Sequence, residues 1–482
     1  MKEVRQLNSS REKVFRSLWE NRLTIPLLLL FQFGLHLLLY FNTETFSGIS
    51  ESGALFGKLD TILSGESPKP LYGFYWYFTP AYIAAFFIRI FGSIDAYFVF
   101  QCLLATITSL LIYFTVVKIS GSKKSGVVSI ILTTIYTEYL LLSSVFYNQV
   151  YENFFVVLLL LAVLNFTENG NIKKLVIYGI LTVAIVLCSL MFRNTLLVIF
   201  FYFLLAGIFF LMKKRPGPGI GSIMLSLVLF VLVFIIKPLD VFREGEYHPQ
   251  RVLEFWGHTE YGGNGGEVGF IYKENEELFN KRLDAYLQEN NISVATPSVV
   301  EEFKSYEVRR FITKETHRWL FLQVKKVLYT FGLMPQRDGL TMLVTGRVNI
   351  GWVTAAILLQ VPFLLIMTLF LLTVDIRLKS INSLPGYKFL LYLMGLYLIV
   401  GISIYATWAE RYRIVAVVAF IIPVIAINID NIRELFDPNN RKELVIRLSF
   451  VAFMILVWGC QAYEALVIHR ERYFEALEKI IQ

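Results

Sequence analysis

Long apolar runs alternate with short polar connections along this chain, and most runs are close to ~20 residues, the length that carries an α-helix across ~30 Å of hydrocarbon. The first is Leu23 to Phe41, followed by Asn-Thr-Glu-Thr and no small-residue cleavage site, so it reads as a retained span and not a signal peptide. A run at 96–117 comes next, then two pairs, 125–145 with 150–167 and 175–191 with 195–212, and a single run at 219–236. A polar region at 237–350 separates these from runs near 351–374, 389–407, 414–429 and 448–467. The sum is about eleven spans. A transmembrane β-barrel would instead show alternating segments of ~10 residues, and none is visible, so the expected fold class is an all-α polytopic membrane protein.

The pattern divides the chain into an N-terminal transmembrane module at 1–236, with an outer first loop at 42–95, a mainly helical outer region at 237–350, and C-terminal transmembrane helices at 351–482. Within the outer region, 275–290 and 298–316 carry helical charge spacing, and 317–332 is amphipathic, suited to lying on the bilayer. The segment GGNGGEVG at 262–269 lacks the Lys-Ser/Thr ending and strand-helix setting of a phosphate loop, and reads as a turn.

Composition agrees with the pattern: 56% of the residues are hydrophobic, too many for a soluble domain to enclose. Cys102, Cys188 and Cys460 sit in separate apolar runs, without pairing or metal-ligand spacing. The net charge of +8 does not point to nucleic acid, because the cations cluster at the ends of apolar runs and not on one polar face. Lys2, Arg5, Arg11, Lys13, Arg16 and Arg22 precede the first span, which expects a cytoplasmic N-terminus. The same rule puts Lys118/Lys123/Lys124, Lys173/Lys174, Lys213/Lys214/Arg215, Arg377/Lys379/Lys388 and Arg433/Arg441/Lys442/Arg447 inside, and the C-terminus outside. Residues 42–95 then cannot cross an odd number of times. The aromatic run 70–92, broken by Pro70 and Pro80 and carrying Tyr72, Phe74, Tyr75, Trp76, Tyr82 and Arg89, is expected along the outer surface.

Charged groups retained beside apolar spans are functional candidates. On this topology Glu51, Asp60, Glu152, Arg193 and Glu410-Arg411-Tyr412-Arg413 share one outer face. A carboxylate there can take the proton of an attacking hydroxyl, and arginines can neutralise charge building on a departing phosphate. The plain alternatives are solvated loop acids at Glu51 and Asp60, and snorkelling at Arg193, Arg411 and Arg413. His36, inside the first span, reads as a packed histidine, and His317 as polar rim.

Taken in order, Glu51, LFGKLDTILSG (55–65), KPLYGFYWYFTPAYIAAFFIRIFG (69–92), YNQVYENFFVVLLLL (147–161), GILTVAIVLCSLMFRN (179–194) and AERYRIVAVVAFIIP (409–423) resemble the GT-C superfamily of membrane glycosyltransferases, in particular the branch of protein O-mannosyltransferases and lipid A aminoarabinose transferases. The resemblance implies a GT-C-type bundle and inverting, single-displacement transfer of a sugar from a polyprenyl-phosphate donor to a lipid, glycan or protein acceptor on the extracytoplasmic side of a bacterial inner membrane. It implies Glu51 as the catalytic acid, Glu152 as the acid of the later span, Lys69 as a cation near the donor phosphate, and Arg411 with Tyr412 as the RY pair. Asp60 remains a rival to Glu51, and Arg193 and Arg413 join the donor-phosphate set. Two other classes stay open: a polysaccharide polymerase or ligase using polyprenyl-linked glycans, and a lipid or solute transporter, although no internal repeat is apparent. The sequence requires no metal, and its carboxylates would suit a hard divalent cation at most.

Overall fold

The computed structural model describes residues 23–43, 50–66, 79–168, 172–236, 258–259, 273–333, 342–344, 347, 351–374, 385–405, 413–437, 440–463 and 467. Helix makes up 86% of the described residues and no strand occurs among them, which leaves the helical one of the two solutions that lipid permits. Seven helices are long and apolar enough to span a membrane, and four shorter apolar ones accompany them. The chain is a polytopic α-helical membrane protein.

Helix α1 (Thr24–Asn42) shows why the bundle suits lipid. Its buried residues are Gln32, His36 and Tyr40, a polar stripe at four-residue spacing, whereas Leu23, Leu27, Leu30, Phe31 and Leu38 are exposed. Polar groups turn inward because only other helices can satisfy them, and leucines meet the tails. Helices α2 (Ser50–Leu63), α3 (Thr79–Phe91), α4 (Asp95–Ser120) and α5 (Lys123–Ile135) follow. Gln32 donates to Ser109 Oγ of α4 at 2.9 Å and to Thr133 Oγ1 of α5 at 3.4 Å, and the Tyr40 hydroxyl donates to Asp95. The end of α1 therefore meets the start of α4 at one level of the bundle. Between them in the chain, α3 has 13 residues, about 20 Å of helix against ~30 Å of hydrocarbon.

The apolar run 125–145 is not one helix. It breaks at Tyr136 (φ −76°, ψ 89°) and resumes as α6 (Thr137–Leu142), and residues 143–148 then lead into α7 (Gln149–Glu168). After α8 (Ile172–Leu190) a short turn at Asn194–Leu196 precedes α9 (Phe200–Met212) and α10 (Pro216–Phe230). Three helices, α11 (Lys273–Glu289), α12 (Pro297–Lys314) and α13 (Thr316–Thr330), occupy the polar region. The C-terminal part holds α14 (Trp352–Thr373), α15 (Gly386–Tyr405), α16 (Arg413–Ile427), α17 (Asn431–Leu435) and α18 (Arg441–Tyr463). Every residue of α16 from Arg413 to Ala426 is buried, so it forms the axis around which the others gather.

The bundle has two distinct ends. At the lower one Lys118 pairs with Glu168, Arg215 donates to the Thr167 carbonyl, and Phe209 stacks on Phe389. Lys388 donates to Asn428, Lys124 pairs with Asp430, and Arg447 donates to the carbonyls of Leu372 and Val374. The described cationic connections thus collect at one end. At the upper end Trp458 donates to the Phe331 carbonyl and Gln461 accepts from the Leu333 amide, tying α18 to the chain beyond α13.

Candidate functional site

Two ion pairs lie in the upper half of the bundle on either side of α7. The first begins with sequence: α7 opens QVYEN, which places Glu152 in its first turn, and Glu152 is 2% exposed. Arg193 stands just beyond the end of α8, after Met191 and Phe192, and its Nε lies 3.6 Å from Glu152 Oε2. The Thr195 hydroxyl donates to Glu152 Oε1, and the Tyr397 hydroxyl of α15 donates to the Thr195 carbonyl, so α7, α8, α15 and the turn at 194–196 converge on one carboxylate. Arg193 keeps 15% of its side chain exposed, which makes this the accessible edge of the site. The Thr79 hydroxyl donates to the Met191 carbonyl at 2.6 Å and brings the start of α3 to the same corner.

The second pair is closed. Arg413 Nε lies 3.0 Å from Glu138 Oε2, the Arg413 Nη2 group also donates to Glu138 Oε1, and Nη1 donates to the Gly332 carbonyl at 2.8 Å. Tyr136, at the helix break, donates to the same carboxylate at 2.8 Å, and the guanidinium sits 3.8 Å from the Phe363 ring centroid. Neither charged side chain retains exposed surface. An arginine held this way has its charge balanced inside the protein, so its evident role is to join helices.

The remaining sequence candidates fall as follows. Asp60 is exposed on α2, whose buried positions are Leu55, Leu59 and Ile62. Glu51 lies in α2, but its side chain is outside the described residues. Its register is informative: position 51 stands four and eight residues before Leu55 and Leu59, on the buried stripe, whereas nine residues at ~100° each put Asp60 on the opposite face. Phe56 of α2, half-buried beside that stripe, packs edge to face on Phe146 of the loop before α7 at 4.9 Å. Lys69, Arg411 and Tyr412 lie outside the described residues.

Sequence reasoning missed several polar groups. Glu138 was findable, since an acid inside ILTTIYTEYLLLSS is costly in a membrane and implies a partner. Asn148, Gln149 and Asn153 are almost fully buried around Glu152. On α13, Trp319, Gln323 and Lys326 share one face, and Trp319 Nε1 donates to His258 Nδ1 at 3.1 Å. Burial pushes the Lys326 ammonium down to about 7, and burial together with the charge of Lys326 pushes His258 down to about 4. No cluster of three or more metal-ligating side chains occurs among the described residues.

No protein-family model matches the chain, and no curated protein matches it.

Proposed function

We propose that the protein is a membrane glycosyltransferase of GT-C type that moves a sugar from a polyprenyl-phosphate donor to an acceptor hydroxyl on the extracytoplasmic side. The observation that carries the reading is the Glu152–Arg193 pair, an enclosed acid and a part-exposed cation where α3, α7, α8 and α15 meet. The lower end, with Lys118, Lys124, Arg215, Lys388 and Arg447, is the cytoplasmic one by the positive-inside rule, which turns the Glu152–Arg193 corner outward. The membrane in question is a bacterial inner membrane.

In the proposed reaction the acceptor oxygen attacks the anomeric carbon from the side opposite the phosphate. Its proton passes to a carboxylate of the first loop, Glu51 on its helical register, as the bond from anomeric carbon to phosphate oxygen breaks with inversion. Negative charge grows on the departing polyprenyl phosphate, and Arg193, with Lys69 and the Arg411-Tyr412 pair, offsets it. Glu152 holds Arg193 in place. Arg413 contributes by fixing the start of α16, immediately after Arg411 and Tyr412. A second reading, transport of a lipid-linked sugar, draws on the helix break at Tyr136 beside an enclosed ion pair, since transporters place discontinuous helices at their sites.

Membranes containing the protein, supplied with radiolabelled polyprenyl-phosphate sugars, should transfer label to an endogenous or added acceptor, and Arg193→Gln should lower that transfer about 10²-fold. Movement of intact labelled lipid between leaflets without transfer would favour the transporter. Undiminished transfer by Arg193→Gln would remove the ion pair from the mechanism.

A further inference from the structure

Asn148, just before α7, and Gln149 and Asn153 in its first turns hold five side-chain amide atoms with no hydrogen-bond partner: Asn148 Oδ1, Gln149 Nε2 and Oε1, and Asn153 Nδ2 and Oδ1. Their residues are 1%, 0% and 0% exposed, so bulk water does not serve them. Buried polar atoms are nearly always paired, and five orphans within six positions call for a partner other than the chain itself.

Their chemistry limits that partner. Three of the atoms are carbonyl oxygens that accept, and two are NH₂ groups that donate. A phosphate only accepts and would leave the three oxygens unpaired; a metal ion or ammonium would leave the two NH₂ groups unpaired. Glu152 is offset by Arg193, so the surroundings are near neutral and favour an uncharged partner. A ligand that both donates and accepts at several points is a polyol. Gln149 and Asn153 form one stripe of α7 at four-residue spacing and Asn148 and Glu152 form the adjacent stripe, so the amides flank the acid. The exposed part of Arg193 marks the side from which a ligand arrives.

We infer that Asn148, Gln149 and Asn153 form a neutral polar subsite that takes the hydroxyls of a sugar ring. Resting on the glycosyltransferase reading, that ring is the one carried by the donor, held with its phosphate toward Arg193. Ordered water is the competing partner for the same atoms.

Full-length protein in nanodiscs would be titrated with short-chain polyprenyl phosphate, bare or carrying a hexose, and separately with methyl hexosides. Wild type should prefer the sugar-bearing lipid by about tenfold. Gln149→Leu and Asn153→Leu should bring that preference close to one while leaving the affinity for bare lipid unchanged. Their ligand-free thermal midpoints should equal or exceed that of wild type, because an unpaired amide has been replaced by an apolar group of similar volume; a purely structural role would lower them. Asn153→Ala serves as the second variant if leucine overfills the site. A preference that survives in all three overturns the subsite and leaves water as the partner. If neither lipid binds but a methyl hexoside raises the wild-type midpoint and not that of the variants, the subsite stands and the donor reading falls. If neither the sugar-bearing lipid nor any methyl hexoside binds wild type, the subsite falls.

Discussion

Glu138 and Arg413 are 275 positions apart, yet they form an ion pair with no exposed side-chain surface on either residue. The pair, with Gly332 and Phe363, ties α6, the chain after α13, α14 and α16 into one junction. It also explains the break at Tyr136. A continuous helix would set the run after Tyr136 on one straight path, whereas the observed turn presents Glu138 to Arg413 and lets the Tyr136 hydroxyl donate to the same carboxylate.

Removing one partner strands a charge in an apolar interior, so Glu138→Leu or Arg413→Met should each lower unfolding free energy by about 3–5 kcal/mol. The double change Glu138→Leu/Arg413→Met should cost much less than the two single losses together, since no charge is left behind. Reversible unfolding in mixed detergent micelles measures all four proteins. Additive losses would mean that the two residues stabilise the fold independently.

Lys326 makes a pH prediction. Its folded value of about 7 lies below the 10.5 of an ordinary lysine, so between those limits the unfolded chain binds a proton that the folded protein does not. Stability therefore rises with pH across that window, by about 1.4 kcal/mol per unit from this one group, and the full penalty is present below pH 7. His258 has the same sign in a lower window, from about 4 to 6.5, where falling pH favours the unfolded chain. Hydrogen exchange of α13 should slow from pH 7 to pH 9 after correction for the intrinsic rate, and Lys326→Met should flatten the trend. An unchanged slope in that variant would assign the effect to another group.

Close helix approach gives a third prediction. A Cβ at Gly207 in α9 would stand 2.6 Å from Ile223 Cγ1 and 2.9 Å from the Gly219 carbonyl of α10, and a backbone atom cannot rotate aside. Gly207→Ala should destabilise by about 1–3 kcal/mol. At Gly34 of α1 a Cβ meets nothing within 4 Å, so Gly34→Ala should be neutral or stabilising by up to ~1 kcal/mol. Thermal midpoints of the two variants in the same detergent should move in opposite directions or by clearly different amounts.

What the sequence disclosed and what it withheld follow from the range of each interaction. Runs near the bilayer length announce themselves locally, and α1, α4, α7, α8 and α14 each overlap one of them almost end to end. The stripe of Gln32, His36 and Tyr40 is also visible as a four-residue repeat, although its partners Ser109, Ser143 and Asp95 are not. The break at Tyr136 is hidden because ILTTIYTEYLLLSS is apolar throughout apart from one acid, and what bends it is an arginine from another part of the chain. Arg413 looks from the sequence like one more rim cation beside Arg411; only the fold shows it enclosed. Glu152 and Arg193 could be nominated from their positions beside apolar runs, but their meeting depends on how α7 packs on α8.

The opposite faces of α2 separate the two candidate acids. Leu55, Leu59 and Ile62 are buried, position 51 shares their stripe, and Asp60 is exposed on the other side. Along the axis the two acids are about 13 Å apart, too far to exchange roles by a side-chain rotation. Glu51→Gln should therefore lower sugar transfer by about 10²–10⁴-fold with donor binding kept, as expected when a general base is lost. Asp60→Asn should leave both within a few-fold of wild type. Transfer assayed at saturating donor, with donor affinity measured separately, distinguishes loss of chemistry from loss of binding. The reverse result, with Asp60→Asn inactive and Glu51→Gln active, would place the acceptor on the outer face of α2 and detach the reaction from the Glu152–Arg193 corner.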